Sequence, residues 1–169
     1  MKERDQIVDF LKNRGYWRFN DDGQAIEFTA DTTFSTKALD IKLLIPVESS
    51  DSAIAKKIFP RYRYRNIYIY PDSDPVADWE FPPTYYDTIY EGYHLRYTDP
   101  KMKYRPKFFT DAIVMRDSSL YRLNAEVQTR RNFSKREGVT MTGFEETAIS
   151  DEKIGDDNLL DVSFYFRPK

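Results

Sequence analysis

The chain has 169 residues, a formal charge of −2 and no cysteine, which excludes disulfides, thiol catalysis and cysteine-ligated zinc. Its single histidine, His94, excludes a multi-histidine metal site within one chain, and the charge balance excludes a uniformly basic nucleic-acid binder. Thirteen Tyr and twelve Phe against two Trp favour sheet faces and protein interfaces, because each tyrosine ring carries a hydroxyl that needs a partner. One domain over residues 1–169 suits this length. No secretory apolar core and no bilayer-length apolar run is present, so a soluble intracellular product without a membrane partner is expected.

Residues 4–14 predict a short helix with Ile7, Val8, Phe10 and Leu11 as its apolar stripe and Gly15 closing it. About three turns are too few to stand alone, so the helix must dock. Residues 25–28 read as a short strand after an Asp22–Gly23 turn, and residues 31–36 as irregular. Leu39, Ile41, Leu43 and Ile45 alternate along a strand at 39–47. A short helix at 50–59, carried by Ala53, Ile54, Lys57 and Ile58, is stopped by Pro60.

Residues 61–70 (RYRYRNIYIY) alternate again, with Arg61, Arg63, Arg65, Ile67 and Ile69 in one row and tyrosines in the other. Because neither row is apolar throughout, the first half is expected to project beyond the sheet. Three prolines and four acids in residues 72–83 predict an extended arm in which Trp79 and Phe81 need a place to bury. Residues 85–98 predict one or two strands and residues 99–107 a basic, proline-bounded loop.

The C-terminal third carries the most sustained alternation. Tyr121, Leu123, Ala125 and Val127 fall on one side of residues 120–131, and Arg122, Asn124, Glu126, Gln128 and Arg130 on the other. Residues 108–117 and 120–131 therefore read as a hairpin turning near 117–119, with a further strand at 139–144. The acidic stretch 145–157 reads as a solvated loop, and Leu160, Val162, Phe164 and Phe166 mark a strand at 158–166 that closes the sheet. The expected fold class is α+β: a mainly antiparallel sheet with a short N-terminal helix and long irregular arms.

Three constellations have chemical meaning. Asp111, Glu126 and Gln128 follow an order that resembles the restriction-endonuclease-like nucleases, where an Asp precedes a Glu-x-Lys on the next strand. That resemblance implies magnesium-dependent cleavage. Gln128 stands where the lysine belongs, and the alternative is a wet scaffold strand. His94 titrates near neutrality and could serve as a base, or as a hydrogen-bonded structural residue. Asp151, Glu152, Asp156 and Asp157 could collect calcium but lack EF-hand spacing, so a solvated charge run is the competing reading.

The third constellation is the basic row Arg61, Arg63 and Arg65. It could meet nucleic acid, or an acidic protein surface such as the one formed by Glu145, Glu146, Asp151, Glu152, Asp156 and Asp157 on a neighbouring copy. Trp79 is a further contact candidate. A homo-oligomer held by these complementary segments needs no cofactor and no metal.

The short N-terminal helix, the tyrosine-rich middle and the ending GVTMTGFEETAISDEKIGDDNLLDVSFYFRP together resemble the neck, tail-completion and tail-terminator proteins of tailed phages. That resemblance implies a small α/β or β-rich structural subunit forming rings with its own copies and with other virion proteins. It would be assembled in the host cytoplasm and carried in the virion. The charged segments would then be subunit contacts, and residues 108–131 scaffold.

Overall fold

The computed structural model describes residues 2–19, 26–31, 40–44, 60–76 and 83–169. The turn at Asp22–Gly23, the helix at 50–59, Trp79 and Phe81 lie outside the described residues. The fold is α+β, with a short N-terminal helix and a five-stranded sheet. Helix α1 (Lys2–Lys12) is followed by a hairpin of β1 (Glu27–Asp31) and β2 (Asp40–Leu44), which pair antiparallel. Strands β3 (Tyr62–Tyr70), β4 (Tyr86–Tyr90) and β5 (Tyr93–Tyr97) come next, then helices α2 (Pro106–Thr110) and α3 (Leu123–Ser134). A long hairpin of β6 (Val139–Ile154) and β7 (Asp157–Pro168) follows.

The sheet order is β4-β5-β3-β7-β6. Its two edge pairs, β4 with β5 and β6 with β7, are antiparallel, while β3 runs parallel to both of its neighbours. Turn chemistry explains the edge hairpins. Glu91 and Gly92 link β4 to β5 with φ of 51° and 83°, the two positive angles of a type I′ turn. At the distal hairpin Gly155 takes φ 60° between the paired Ile154 and Asp157, as a type II′ turn requires.

Period-two alternation holds on β7, where Leu160, Val162, Phe164 and Phe166 are all fully buried. They meet Tyr62, Tyr64, Ile67 and Ile69 of β3 in one core, covered by Phe109 of α2 and by Ala125 and Phe133 of α3. Phe133 packs on Phe166 at 4.5 Å between ring centroids, and Phe109 on Phe166 at 5.1 Å. Each such ring contributes about 1.5–3 kcal/mol through burial.

Four sequence expectations are corrected. Residues 120–131 do not form a strand: from Leu123 onward they are helix α3, and 106–110 is a helical turn begun by Pro106. The buried positions are Tyr121, Ala125, Thr129 and Phe133, spaced by four, whereas Val127 is exposed. Thr129 Oγ1 accepts the backbone N–H of Val114 at 3.0 Å and Asn132 Nδ2 donates to the carbonyl of Ala112 at 2.9 Å, tying the helix to the segment before it.

Residues 145–154 are not a loop but the greater part of β6, paired with β7 up to Ile149 and again from Lys153, with a bulge between. The strand at 158–166 does not close the sheet either, since β7 lies between β3 and β6. The first half of β3 is likewise inside the structure. Tyr62 and Tyr64 are buried, β7 pairs on one side, and Tyr64 N–H and Tyr121 N–H bond to Ser119 and Tyr62 carbonyls on the other.

Candidate functional site: the charged face of the sheet

With the apolar residues of β3, β5 and β7 turned to the core, their alternate residues form the opposite face. The row on β3 is Arg63, Arg65, Tyr68 and Tyr70, because a bulge between Tyr64 and Ile67 shifts the alternation by one. β7 supplies Asp157, Asp161 and Tyr165, β5 supplies His94 and Arg96, β4 supplies Asp87, and β6 supplies Glu145.

The three predicted arginines are neutralised within their own chain. Asp157, 5% exposed, receives Arg61 Nε at 3.1 Å on one oxygen and Arg63 Nε at 2.7 Å on the other. Arg65 forms a two-point pair with Asp161, at 2.9 and 2.7 Å, while its remaining terminal nitrogen lies 3.0 Å from Glu152. Hydrogen bonds donated to Asp161 first and Glu152 second hold the Arg65 guanidinium above its ordinary pKa. Asp161 also accepts the backbone N–H of Asn66 at the bulge, 3.0 Å away. Of the six acids that the sequence set against these arginines, Asp157 at the start of β7 and Glu152 on β6 meet them within one chain, joined by Asp161.

Further along the same face, Asp87 accepts Arg96 Nε at 3.0 Å and lies 3.6 Å from His94 Nδ1. The His94 ring packs against Tyr68 at 5.1 Å, and Arg96 sits over that tyrosine at 4.2 Å while donating to the Tyr70 hydroxyl at 3.2 Å. Tyr70 stacks on Tyr165 at 4.5 Å with an interplanar angle of 13°, and the Tyr165 hydroxyl donates to Glu145 at 3.1 Å. Burial, with the Glu145 charge beside it, pushes the Tyr165 hydroxyl above its ordinary pKa. His94 is therefore one member of a polar belt that runs from β4 to β6.

The remaining predicted residues scatter. Glu126 and Gln128 sit two positions apart on α3, where an α-helix turns them about 200° from one another, so they share no face. Glu126 pairs with Arg130 at 2.8 Å and the Gln128 amide donates to Asn132 at 2.9 Å. Asp111 caps the C-terminal end of α2.

Glu145 and Glu146 point to opposite sides of β6. Glu146 turns inward, where one carboxylate oxygen accepts Trp17 Nε1 at 2.6 Å and the other is buried with no hydrogen-bond partner among the described residues. Asp151, Glu152 and Asp156 sit at the exposed hairpin tip, while Asp157 is buried at its base. Among the described residues no three His, Asp or Glu side chains are grouped to hold a metal ion. Sequence reasoning missed Asp87, Arg96 and Asp161, because each gains its meaning from a neighbouring strand. Compared with protein-family models, with curated proteins and with solved structures, the chain finds no significant match.

Proposed function

We propose that this protein is a non-enzymatic assembly subunit that joins copies of itself and other structural proteins, in the manner of a ring-forming component of a phage neck or tail. The observation that carries the reading is the distal part of the β6–β7 hairpin. β6 is 16 residues long, about 50 Å if fully extended, and residues 150–156 at its far end are all exposed. Residues 150–152 face no β7 residue, lying between the Ile149–Leu159 and Lys153–Asn158 pairs, so the exposed tip is a bulged excursion that would offset its ordering entropy by docking on a neighbour. The sheet edges support the same reading. β4 and β6 are its terminal strands, and among the described residues neither pairs on its outer side, so each offers unpaired backbone groups to a neighbouring chain. Head-to-tail contacts repeated about an axis would close a ring.

Light scattering across a concentration series tests this. The wild type is expected to form a discrete oligomer, and replacing residues 150–156 by a two-residue Asn-Gly turn is expected to yield a folded monomer. A wild-type protein that stays strictly monomeric at high concentration, and is missing from its parent particle, overturns the reading.

A further inference from the structure

We infer that the end of the β6–β7 hairpin opposite its exposed tip is a surface for the phosphate backbone of nucleic acid. Residues 101–107 alternate in exposure: Lys101, Lys103, Arg105 and Lys107 face solvent, while Met102, Tyr104 and Pro106 are half-buried. The half-buried row fixes the cations in place. Tyr104 stacks on Phe108 at 5.0 Å, and its hydroxyl donates to the carbonyl of Gly138 at 2.7 Å, just before β6 begins. Arg136 donates to the carbonyl of Phe108 and lies over the Phe108 ring at 5.1 Å. Lys169 N–H donates to the same Gly138 carbonyl at 2.8 Å, which brings the end of β7 to this place. A cleft of about 240 Å³ opens beside it, with Arg136, Lys169, Ser134 and Thr140 in its lining.

The cations here differ from those on the sheet face in being unspent. Arg61, Arg63 and Arg65 are each paired with a carboxylate, whereas among the described residues Lys101, Lys103, Arg105, Lys107, Lys135 and Arg136 form no ion pair. The acids in the same stretches of chain are Asp99 and Glu137, so six cations against two acids leave an excess of four. In a chain of net charge −2, that excess marks one end of the molecule.

The size of the excess selects the partner. The exposed hairpin tip of a second copy carries Asp151, Glu152 and Asp156 against Lys153, a net −2, and Glu152 is already held by Arg65. It is too weakly charged to match four uncompensated cations, whereas a nucleic-acid backbone offers a phosphate at every nucleotide. With no exposed aromatic ring at this end, the expected mode is sequence-independent contact to phosphates.

The test uses fluorescence anisotropy with a labelled DNA duplex of arbitrary sequence. Four neutralised phosphates predict that affinity falls roughly a hundredfold between 50 and 200 mM salt. The variant K101A/K103A/R105A/K107A is expected to lose most of the binding and nearly all of the salt dependence, while Lys153→Ala at the opposite end binds as the wild type does. Circular dichroism and thermal melting of the quadruple variant establish that it is folded. Single substitutions, each lowering the salt slope by about one, replace it if it is not. Absence of binding at 50 mM salt, or binding that the cluster variants leave unchanged, overturns the proposal. So does a variant that loses self-association in light scattering while the wild type ignores DNA, since the surface would then serve a second copy. DNA binding by a strictly monomeric protein would leave this inference standing and remove the assembly reading, so the two fail separately.

Discussion

Trp17 donates its indole N–H to Glu146 at 2.6 Å, joining the segment after α1 to the middle of β6 across 129 positions of the chain. The same indole packs edge-on against Tyr62 at 5.1 Å, so the bond is made above the core rather than in solvent. Burial is the main reason the Glu146 carboxyl titrates above its ordinary range; the indole bond opposes that shift, and the nearby charge of Glu126 adds to it. In the folded protein the proton is held more tightly than in the unfolded chain. The stabilisation from this group is therefore complete below the ordinary carboxylate pKa and is lost as pH rises through the raised folded value. Glu146→Gln keeps an acceptor for Trp17 and cannot ionise, so its urea midpoint should rise relative to wild type as pH is raised through that window. Parallel pH profiles for the two proteins would sink the argument.

Asp161 is expected to be the most costly single polar residue on the sheet face. It accepts two bonds from Arg65 and one from the bulged backbone at Asn66, and its side chain is 13% exposed. Asp161→Ala leaves both donors without their acceptor and should destabilise the fold by about 2–3 kcal/mol in equilibrium denaturation. Arg65→Lys should recover less than half of a full Arg65→Ala loss, because an ammonium cannot reproduce the two-point geometry.

A methyl group at Gly143 has no room. A Cβ there would lie 2.6 Å from Cγ of Pro75, a ring atom with little freedom to move. Gly143→Ala is expected to cost about 1–3 kcal/mol, and adding Pro75→Ala should return part of it. Additive melting-temperature changes in the double variant would show that the two positions are not coupled.

Glu126 offers a contrast. Its bond to Arg130 is an i,i+4 pair on a half-exposed helix face, so Glu126→Ala should cost only about 0.3–0.5 kcal/mol. If the residue serves only α3, magnesium should elicit no DNA cleavage from the wild type. Cleavage that disappears in Glu126→Ala would restore a catalytic role and with it the nuclease reading.

Legibility in the sequence followed how much of an element's environment lies within the element itself. β7 was readable because its apolar residues alternate strictly against a single core. α3 was misread because Tyr121, Leu123, Ala125 and Val127 alternate by coincidence. The spacing of four that governs burial becomes visible only when Phe133 is counted with Ala125 and Thr129. The acids of β6 suggested a loop because composition registers solvent exposure, and residues 150–156 at the hairpin tip are all exposed. The arginines were placed together as expected, but Ile67 and Ile69, set in the same row, lie on the core side because the bulge after Tyr64 shifts the alternation. The partners of the arginines could not be found, since Asp157 and Asp161 come beside them only through the parallel β3–β7 register.

The position of β7 also sets the order in which the molecule can form. β3 and β6 lie on either side of a strand made after both, so through residue 156 the sheet consists of an outer three-stranded piece and a lone strand with nothing between them. Trp17, Tyr121 and Phe109 already meet Tyr62, Tyr64 and Phe133, but the core is completed only when Leu160 to Phe166 join it. During folding β6, the longest strand, therefore has no sheet partner until β7 joins it. Because its decisive contacts bridge about a hundred residues, folding is expected to be comparatively slow.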